Sequence, residues 1–212
     1  MSKMLAVTIG IGDDWQKLAE FAADRMRKMT GLRVVVAKES SETLVHPAWL
    51  KCSIMRQFPE VEAFMIFDAD MICLRKWEPL QIYNAMRGAF CVVAEPLTAP
   101  VATETENYGV KPGCYFNSGL IICGHQHQPI FDDALTRYPV CGSWIEQTSL
   151  NISAFAKGEV TLIPEKFNTL AHRGNYYRVN QSTVNAHFCG VKSPETITEY
   201  ATRLIEIFGE QA

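Results

Sequence analysis

This chain lacks long apolar stretches and any excess of basic residues. Its longest apolar runs, such as 119–123, are far shorter than the roughly 18 residues needed to cross a bilayer, so we expect no membrane span. Acidic residues (23) outnumber basic ones (20), and the net charge of −3 gives no electrostatic reason to expect nucleic acid as a partner. Because residues 1–4 do not lead into a signal peptide, we expect a cytoplasmic protein.

Cysteine pairs with the spacing of zinc ligands are also missing. The seven cysteines are an odd number, and no two are separated by two or four residues. Neither a disulfide framework nor a zinc knuckle is indicated. Because free cysteine behaves as a small buried hydrophobe, we expect these residues in the interior of a protein from a reducing compartment.

Short apolar runs alternate with amphipathic segments along the rest of the chain. Hydrophobic residues make up 48% of the sequence and charged residues 20%, which is typical of a chain with a buried core. The alternation predicts an α/β fold with a mostly parallel central sheet flanked by helices. Because no repeat or linker divides residues 1–212, we expect a single domain.

The predicted elements follow from this alternation. Strands are expected at 4–9, 32–37, 63–67, 89–94, 115–122 and 160–163. Helices are expected at 15–29, 46–56, 79–86, 129–138, 146–156 and 194–208. Asp14 is the expected N-cap of the first helix. Residues 95–113 contain three prolines and little periodicity, so we expect a long, mobile loop there.

Two carboxylates follow the third predicted strand. Asp68 and Asp70 form the only D-x-D of the chain. Ligands of open α/β sheets gather beyond the carboxyl ends of the strands, so the pair stands where a site is expected. Two such carboxylates can hold a hard divalent cation and leave positions for diphosphate oxygens. An Asx turn that merely ends the strand is the alternative interpretation.

Three later segments carry polar residues at the ends of predicted elements. Residues 115–122 place an Asn-Ser pair before a buried run, 146–147 open a helix with Glu-Gln, and 185–192 contain a histidine before a glycine and a lysine. That histidine, His187, is either satisfied within the core or a third ligand that completes the aspartate pair.

The order of these motifs resembles that of the GT-A glycosyltransferases, most closely family 8, which includes glycogenin and lipopolysaccharide galactosyltransferases. D-x-D, F-N-S-G, an acid followed by Gln, and H-F-x-G with a nearby lysine follow one another between about Met4 and Lys192. The resemblance implies transfer of a hexose-type sugar, with retention, from a UDP-sugar to a glycan or other hydroxyl acceptor. It implies Mn²⁺ or Mg²⁺ as cofactor, a nucleotide-binding half at about 1–94 and a sugar and acceptor half at about 95–212.

The resemblance also implies a role for each site residue. The implied metal ligands are Asp68, Asp70 and His187. The implied donor-binding residues are Thr8, Asp14, Trp15, Lys51, Glu95, Asn117, Ser118 and Lys192. The implied catalytic residues are Gln147, near the anomeric carbon, and Glu146, which orients it or the sugar. For Lys51, a solvated helix lysine is the alternative interpretation.

Three other functions stay open at this point. A phosphohydrolase of the haloacid-dehalogenase type also uses D-x-D, but after its first strand and with Thr or Val at the position of Ile72. A sugar nucleotidyltransferase opens with a glycine-rich loop carrying Arg and Lys, which 10–12 lacks. A non-catalytic sugar-binding module would bind no nucleotide.

Overall fold

The computed structural model describes residues 3–38, 46–111, 113–138, 142, 144–171 and 178–209. The strands in these ranges are β1 (Met4–Ile9), β2 (Arg33–Ala37), β3 (Ala63–Phe67), β4 (Met71–Cys73), β5 (Phe90–Ala94), β6 (Phe116–Gly124), β7 (Val160–Leu162), β8 (Thr169–Leu170) and β9 (Asn185–His187). The α-helices are α1 (Asp13–Thr30), α2 (Pro79–Ala85), α3 (Ala99–Tyr108), α4 (Gln128–Leu135), α5 (Glu146–Lys157) and α6 (Pro194–Phe208).

A six-stranded, mostly parallel sheet forms the centre of the protein, in the order β2-β1-β3-β6-β5-β7. β1 pairs in parallel with β2 and β3, and β5 pairs in parallel with β7. β6 runs antiparallel to both of its neighbours. The carboxyl ends of β1, β3 and β5 and the start of β6 therefore meet at one edge of the sheet. The predicted α/β fold is confirmed.

A second, three-stranded sheet was not predicted. Its order is β4-β9-β8, with β9 antiparallel to β4 and parallel to β8. β4 begins directly after Asp70, so this small sheet starts at the same edge where β3 ends. Strands of two or three residues are too short to show a period of two in the sequence, which is why the pattern did not reveal them.

Both faces of the central sheet are buried. Along β1, Met4 and Ala6 belong to the core that includes apolar residues of α1 and α6. Leu5 and Val7 point the other way and belong to the core beneath α4 and α5. This two-sided burial explains why β1 is apolar at every position except Thr8, as strands covered by helices on both faces are.

The start of α1 and the segment 46–56 differ from the predictions. Gly12, at φ 84°, is the N-cap of α1, and Asp14 lies in the first turn instead. The prediction of Asp14 as N-cap is wrong, although a carboxylate in the first turn still suits the helix dipole. The predicted helix at 46–56 consists of two short 3-10 segments, Pro47–Cys52 and Ile54–Gln57.

The predicted loop over 95–113 is wrong for its central part, which forms α3. Pro100 lies at the start of this helix, where proline is tolerated, and Gly109 ends it in the left-handed conformation at φ 66°. Glu104 is buried and accepts a hydrogen bond from the Thr148 hydroxyl at 2.9 Å. The helix thus packs through a polar contact as well as apolar ones, so hydrophobic periodicity did not indicate it.

Four cysteines are buried and unpaired, as predicted: Cys52, Cys73, Cys91 and Cys123. Cys114 and Cys189 are half-buried, and the prediction for Cys141 lies outside the described residues. Among the helices that the structure describes, none combines the length and the apolar character of a membrane span.

Candidate active site

Two carboxylates and one imidazole meet at the sheet edge where β3 ends. Asp68 and Asp70 lie in the turn between β3 and β4, and His187 is the last residue of β9. Because β9 pairs with β4, His187 lies opposite Met71, at the foot of that turn. His187 Nε2 is 3.2 Å from Asp70 Oδ1 and 3.7 Å from Asp68 Oδ2. The structure therefore brings together the three residues predicted to bind metal.

This cluster has the composition of a divalent-cation site. Asp68, Asp70 and His187 each offer one ligand atom, and these atoms lie within 4.8 Å of one another. Carboxylate oxygens suit Mg²⁺ and Mn²⁺, and the added imidazole suits a transition metal such as Mn²⁺. The donor set therefore fits the cation that the motifs imply.

The proton balance of the cluster depends on burial and on contacts within it. Burial on its own would raise the pKa of Asp70, but the charge and hydrogen bond of His187 keep it below its ordinary value. Burial on its own would lower the pKa of His187, but the charge of Asp70 and their hydrogen bond raise it. Burial raises the pKa of Asp68, against the opposing charge of Lys51. A bound cation would therefore compete with a proton for the imidazole.

A glycine on β6 leaves room for the histidine ring. A Cβ placed on Gly119 would lie 2.6 Å from His187 Nδ1 and 2.7 Å from Asn117 Oδ1, closer than real side chains approach. Only glycine allows the strand and the ring to come this near to each other. The glycine of the F-N-S-G motif therefore has a direct structural link to the metal cluster.

Gly119→Ala is expected to weaken Mn²⁺ binding, because the added methyl group displaces the His187 ring from Asp70. We expect a loss of about 10- to 100-fold in affinity, as when the support of a metal ligand is removed. Isothermal titration with Mn²⁺ measures it. Gly158→Ala is the control, because Gly158 caps α5 at φ 68° with open space around it. That variant should lose stability and keep its Mn²⁺ affinity, and normal binding by Gly119→Ala would refute the steric argument.

Lys51 lies at the centre of a buried ionic network. Its Nζ is 2.6 Å from Asp68 Oδ1 and 2.8 Å from Glu146 Oε1. It also donates to the Ser118 carbonyl and hydroxyl oxygens, at 3.2 and 3.3 Å. Burial would lower the pKa of Lys51, but the two carboxylates raise it above its ordinary value, so the amine stays charged. The side chain is 3% exposed, so the solvated-lysine interpretation is wrong.

The start of β6 is joined to the start of α5 by hydrogen bonds. The Ser118 backbone N–H donates to Gln147 Oε1 at 2.9 Å, and its hydroxyl donates to Glu146 Oε1 at 2.9 Å. Asn117 Nδ2 donates to Glu95 Oε2 at 2.7 Å, and Gln147 Nε2 reaches the same oxygen at 3.5 Å. These five predicted residues therefore form one polar network beside the metal cluster.

The residue before this helix start is in a strained conformation. Ile145 has a φ of 56°, which is unfavourable for a β-branched side chain, and it lines the cavity together with Glu146 and Gln147. Such outliers persist only where the surrounding structure holds them, and they cluster at functional sites. The strain therefore adds to the evidence that this helix start belongs to a site.

These groups surround one cavity of about 590 Å³. The donor-binding residues predicted from the motifs that line it are Trp15, Lys51, Asn117, Ser118 and Lys192. Thr8 is fully buried, and its hydroxyl has no hydrogen-bond partner among the described residues. Asp14 is exposed and pairs with Lys17 at 3.2 Å. The structure thus places Thr8 and Asp14 outside the cavity wall, and Glu95 lines a different pocket.

Asn168 is a residue of this site that the sequence analysis missed. It is 1% exposed, and its amide lies 2.9 Å from both Asn117 Oδ1 and His187 Nδ1. It follows a 3-10 segment, Glu165–Phe167, and precedes the two-residue strand β8. A lone asparagine in a short connection carries no spacing signal, so only the tertiary structure identifies it.

The architecture of this chain is the GT-A glycosyltransferase fold, as solved structures with the same architecture show. A LgtC galactosyltransferase, solved with donor and acceptor sugar analogues, aligns over 94% of this chain and 95% of its own, with a TM-score of 0.69 and 14% identity. A glycosyltransferase involved in glycosylation of the major capsid of PBCV-1 aligns over 94% and 98%, with a TM-score of 0.65 and 14% identity.

A third structure, the bifunctional glycosyltransferase WbbM, aligns over 98% of this chain and 52% of its own length, with a TM-score of 0.66 and 10% identity. No family model and no curated protein matches the sequence. The resemblance that the motifs predicted is thus confirmed at the level of the fold.

Proposed function

We propose that this protein is a metal-dependent glycosyltransferase that moves a hexose-type sugar from a UDP-sugar to a glycan or other hydroxyl acceptor. The observation that carries the proposal is that Asp68, Asp70 and His187 converge on the cavity that Gln147 and Lys192 also line. A cation-binding cluster, the exposed ammonium group of Lys192 and the neutral amide of Gln147 in one cavity suit the departure of a diphosphate from a sugar.

Asp68, Asp70 and His187 would hold Mn²⁺ or Mg²⁺, and the bound cation would offset the negative charge of the diphosphate and of the departing UDP. Lys192 is exposed at the cavity and would add a positive charge beside the diphosphate of the donor. Lys51 neutralises Asp68 from the buried side, so the carboxylate pair does not repel an incoming diphosphate with its full charge.

The donor is proposed to bind with its nucleotide toward residues of about 1–94 and its sugar toward about 95–212. Trp15 is 36% exposed at the cavity and offers a flat surface for the uracil ring. Asn117 lines the cavity on the proposed sugar side, and Glu95, which accepts a hydrogen bond from Asn117 Nδ2, is not part of the lining. Thr8 and Asp14 remain predicted donor contacts that the cavity lining does not support.

Retention is proposed for the reaction, because the two side chains nearest the expected anomeric carbon do not suit a general base. Gln147 is a neutral amide, and Glu146 Oε1 is occupied by hydrogen bonds from Lys51 and Ser118. An inverting enzyme needs a free carboxylate opposite the leaving group. The acceptor proton would instead pass to the departing phosphate on the same face, which keeps the anomeric configuration.

The test is a hydrolysis screen of UDP-sugars with and without Mn²⁺, using the full chain. We expect slow, metal-dependent release of UDP from at least one donor, and NMR of the first glycoside formed with an acceptor should show the donor's configuration. A non-catalytic module would release nothing from any donor. A nucleotidyltransferase would release pyrophosphate from UTP and a sugar phosphate, and either result would refute the proposal.

A further inference from the structure

The buried side-chain amides of Asn117 and Asn168 link β6 to the metal cluster through hydrogen bonds. The backbone of β6 fixes which atom of the first amide accepts. Asn117 Oδ1 accepts a hydrogen bond from the Gly119 backbone N–H at 2.8 Å. A backbone N–H only donates, so the side-chain atom facing it is the oxygen. At the other side of the amide, Asn117 Nδ2 donates to the Glu95 carboxylate. These two partners therefore identify both the oxygen and the nitrogen of the Asn117 amide.

The orientation of the Asn117 amide determines that of Asn168, and the orientation of Asn168 determines which nitrogen of His187 carries a proton. Because Asn117 Oδ1 also lies 2.9 Å from Asn168, the atom of Asn168 that faces it is the donating Nδ2. Asn168 Oδ1 therefore faces His187 Nδ1, at 2.9 Å. An amide oxygen only accepts, so the proton of this bond is on Nδ1 of the imidazole.

We infer that Asn168 is a positioning residue that holds a proton on His187 Nδ1 and so reserves Nε2 for the cation. Nε2 is the ring nitrogen that faces Asp70 and Asp68. The inference rests on the proposed function only in taking this cluster as the metal site. A histidine ligand commonly donates its second ring N–H to such a partner, which fixes the orientation of the ring.

The backbone around Asn168 supports this role. β8 pairs with β9 so that Leu170 lies beside His187. The Asn168 backbone N–H donates to the Glu165 carbonyl at 2.9 Å, which anchors the residue before the strand begins. Asn168 and His187 are 1% and 2% exposed, so water does not compete for the bond between them.

The first test compares the Mn²⁺ affinity of Asn168→Ala and Asn168→Asp by EPR titration of the full chain. Asn168→Ala removes the acceptor for Nδ1–H, and we expect it to bind Mn²⁺ about 10- to 100-fold more weakly. Asn168→Asp keeps an acceptor for Nδ1–H but loses the donor to Asn117 Oδ1, so it should bind Mn²⁺ more tightly than Asn168→Ala. Gln128→Ala is the control, since it removes a half-buried amide on α4 that donates to Asp132 and lies outside the cavity lining. It should leave the affinity unchanged.

The second test reads the imidazole directly, which separates positioning from added charge or lost stability. Nitrogen NMR of histidine-labelled protein, with Cd²⁺ as a diamagnetic probe ion, should show a proton on His187 Nδ1 and none on Nε2, in the wild type and in Asn168→Asp. A proton on Nε2 in the wild type, or unchanged Mn²⁺ affinity in Asn168→Ala, would overturn the inference. A wild type that binds no Mn²⁺ would instead refute the proposed function.

Discussion

Asp70→Ala is expected to abolish metal-dependent UDP binding and leave the fold intact. Asp70 supplies one of the two carboxylates and is the one nearer to His187 Nε2, at 3.2 Å. Its loss removes one ligand and the carboxylate that lies beside another. We expect Mn²⁺ affinity to fall by more than about 100-fold, because removing even an indirect partner of a ligand costs about 10- to 100-fold. The carboxylate lies in a turn at the sheet edge, so little core packing is lost.

Thermal shift with UDP, in the presence and absence of Mn²⁺, measures this effect. The wild type should gain more stability with UDP and Mn²⁺ together than with either alone, since a ligand that binds the folded state stabilises it. Asp132→Ala is the control, because Asp132 is an exposed carboxylate that pairs with Arg56 at 2.6 Å. It should respond as the wild type does. Normal UDP–Mn²⁺ binding by Asp70→Ala would show that the carboxylate pair is not the metal site.

Lys51→Met is expected to destabilise the fold strongly as well as to impair catalysis. The substitution keeps the length of the side chain but removes the cation that lies between Asp68 and Glu146. Glu146 is 6% exposed, so its carboxylate would be buried from solvent without a partner of opposite charge. Breaking a buried ion pair in this way costs about 3–5 kcal/mol of unfolding free energy. Urea denaturation at neutral pH measures that loss.

The physical cause can be isolated by a second substitution. Glu146→Gln in the Lys51→Met background removes the unpaired charge but keeps an oxygen for the Ser118 hydroxyl, so stability should partly recover. Lys17→Met is the matched control, because the Lys17–Asp14 pair is exposed on α1. It should change the unfolding free energy by less than about 1 kcal/mol. A Lys51→Met protein as stable as the wild type would contradict the importance of the buried network.

The sequence by itself determined the central sheet and the position of the acidic pair. β3 is apolar throughout and β1 at every position except Thr8, and a short apolar run bounded by polar residues is typical of a buried strand. The helix predicted at 194–208 is confirmed as α6, Pro194–Phe208, with proline in its first turn. Asp68 and Asp70 directly follow β3, so their place at its carboxyl end needed no tertiary information.

The order of the motifs predicted the particular α/β fold and the residues of the candidate site. Each motif alone is weak evidence, but the succession from D-x-D to H-F-x-G predicted a GT-A fold, which the solved structures confirm. The roles proposed for Gln147 and Lys192 come from the same succession, and the structure shows that both residues line one cavity.

Only the tertiary structure decided how His187, Lys51 and Asn168 are used. His187 reaches Asp70 because β9 pairs with β4, and strands of three residues leave no periodic signal. Lys51 is buried because two carboxylates from distant segments surround it, and no local pattern encodes partners so far apart along the chain. The direction of the hydrogen bonds through Asn168 depends on which atom of each neighbour donates. That is a property of the packed side chains, and the linear sequence does not contain it.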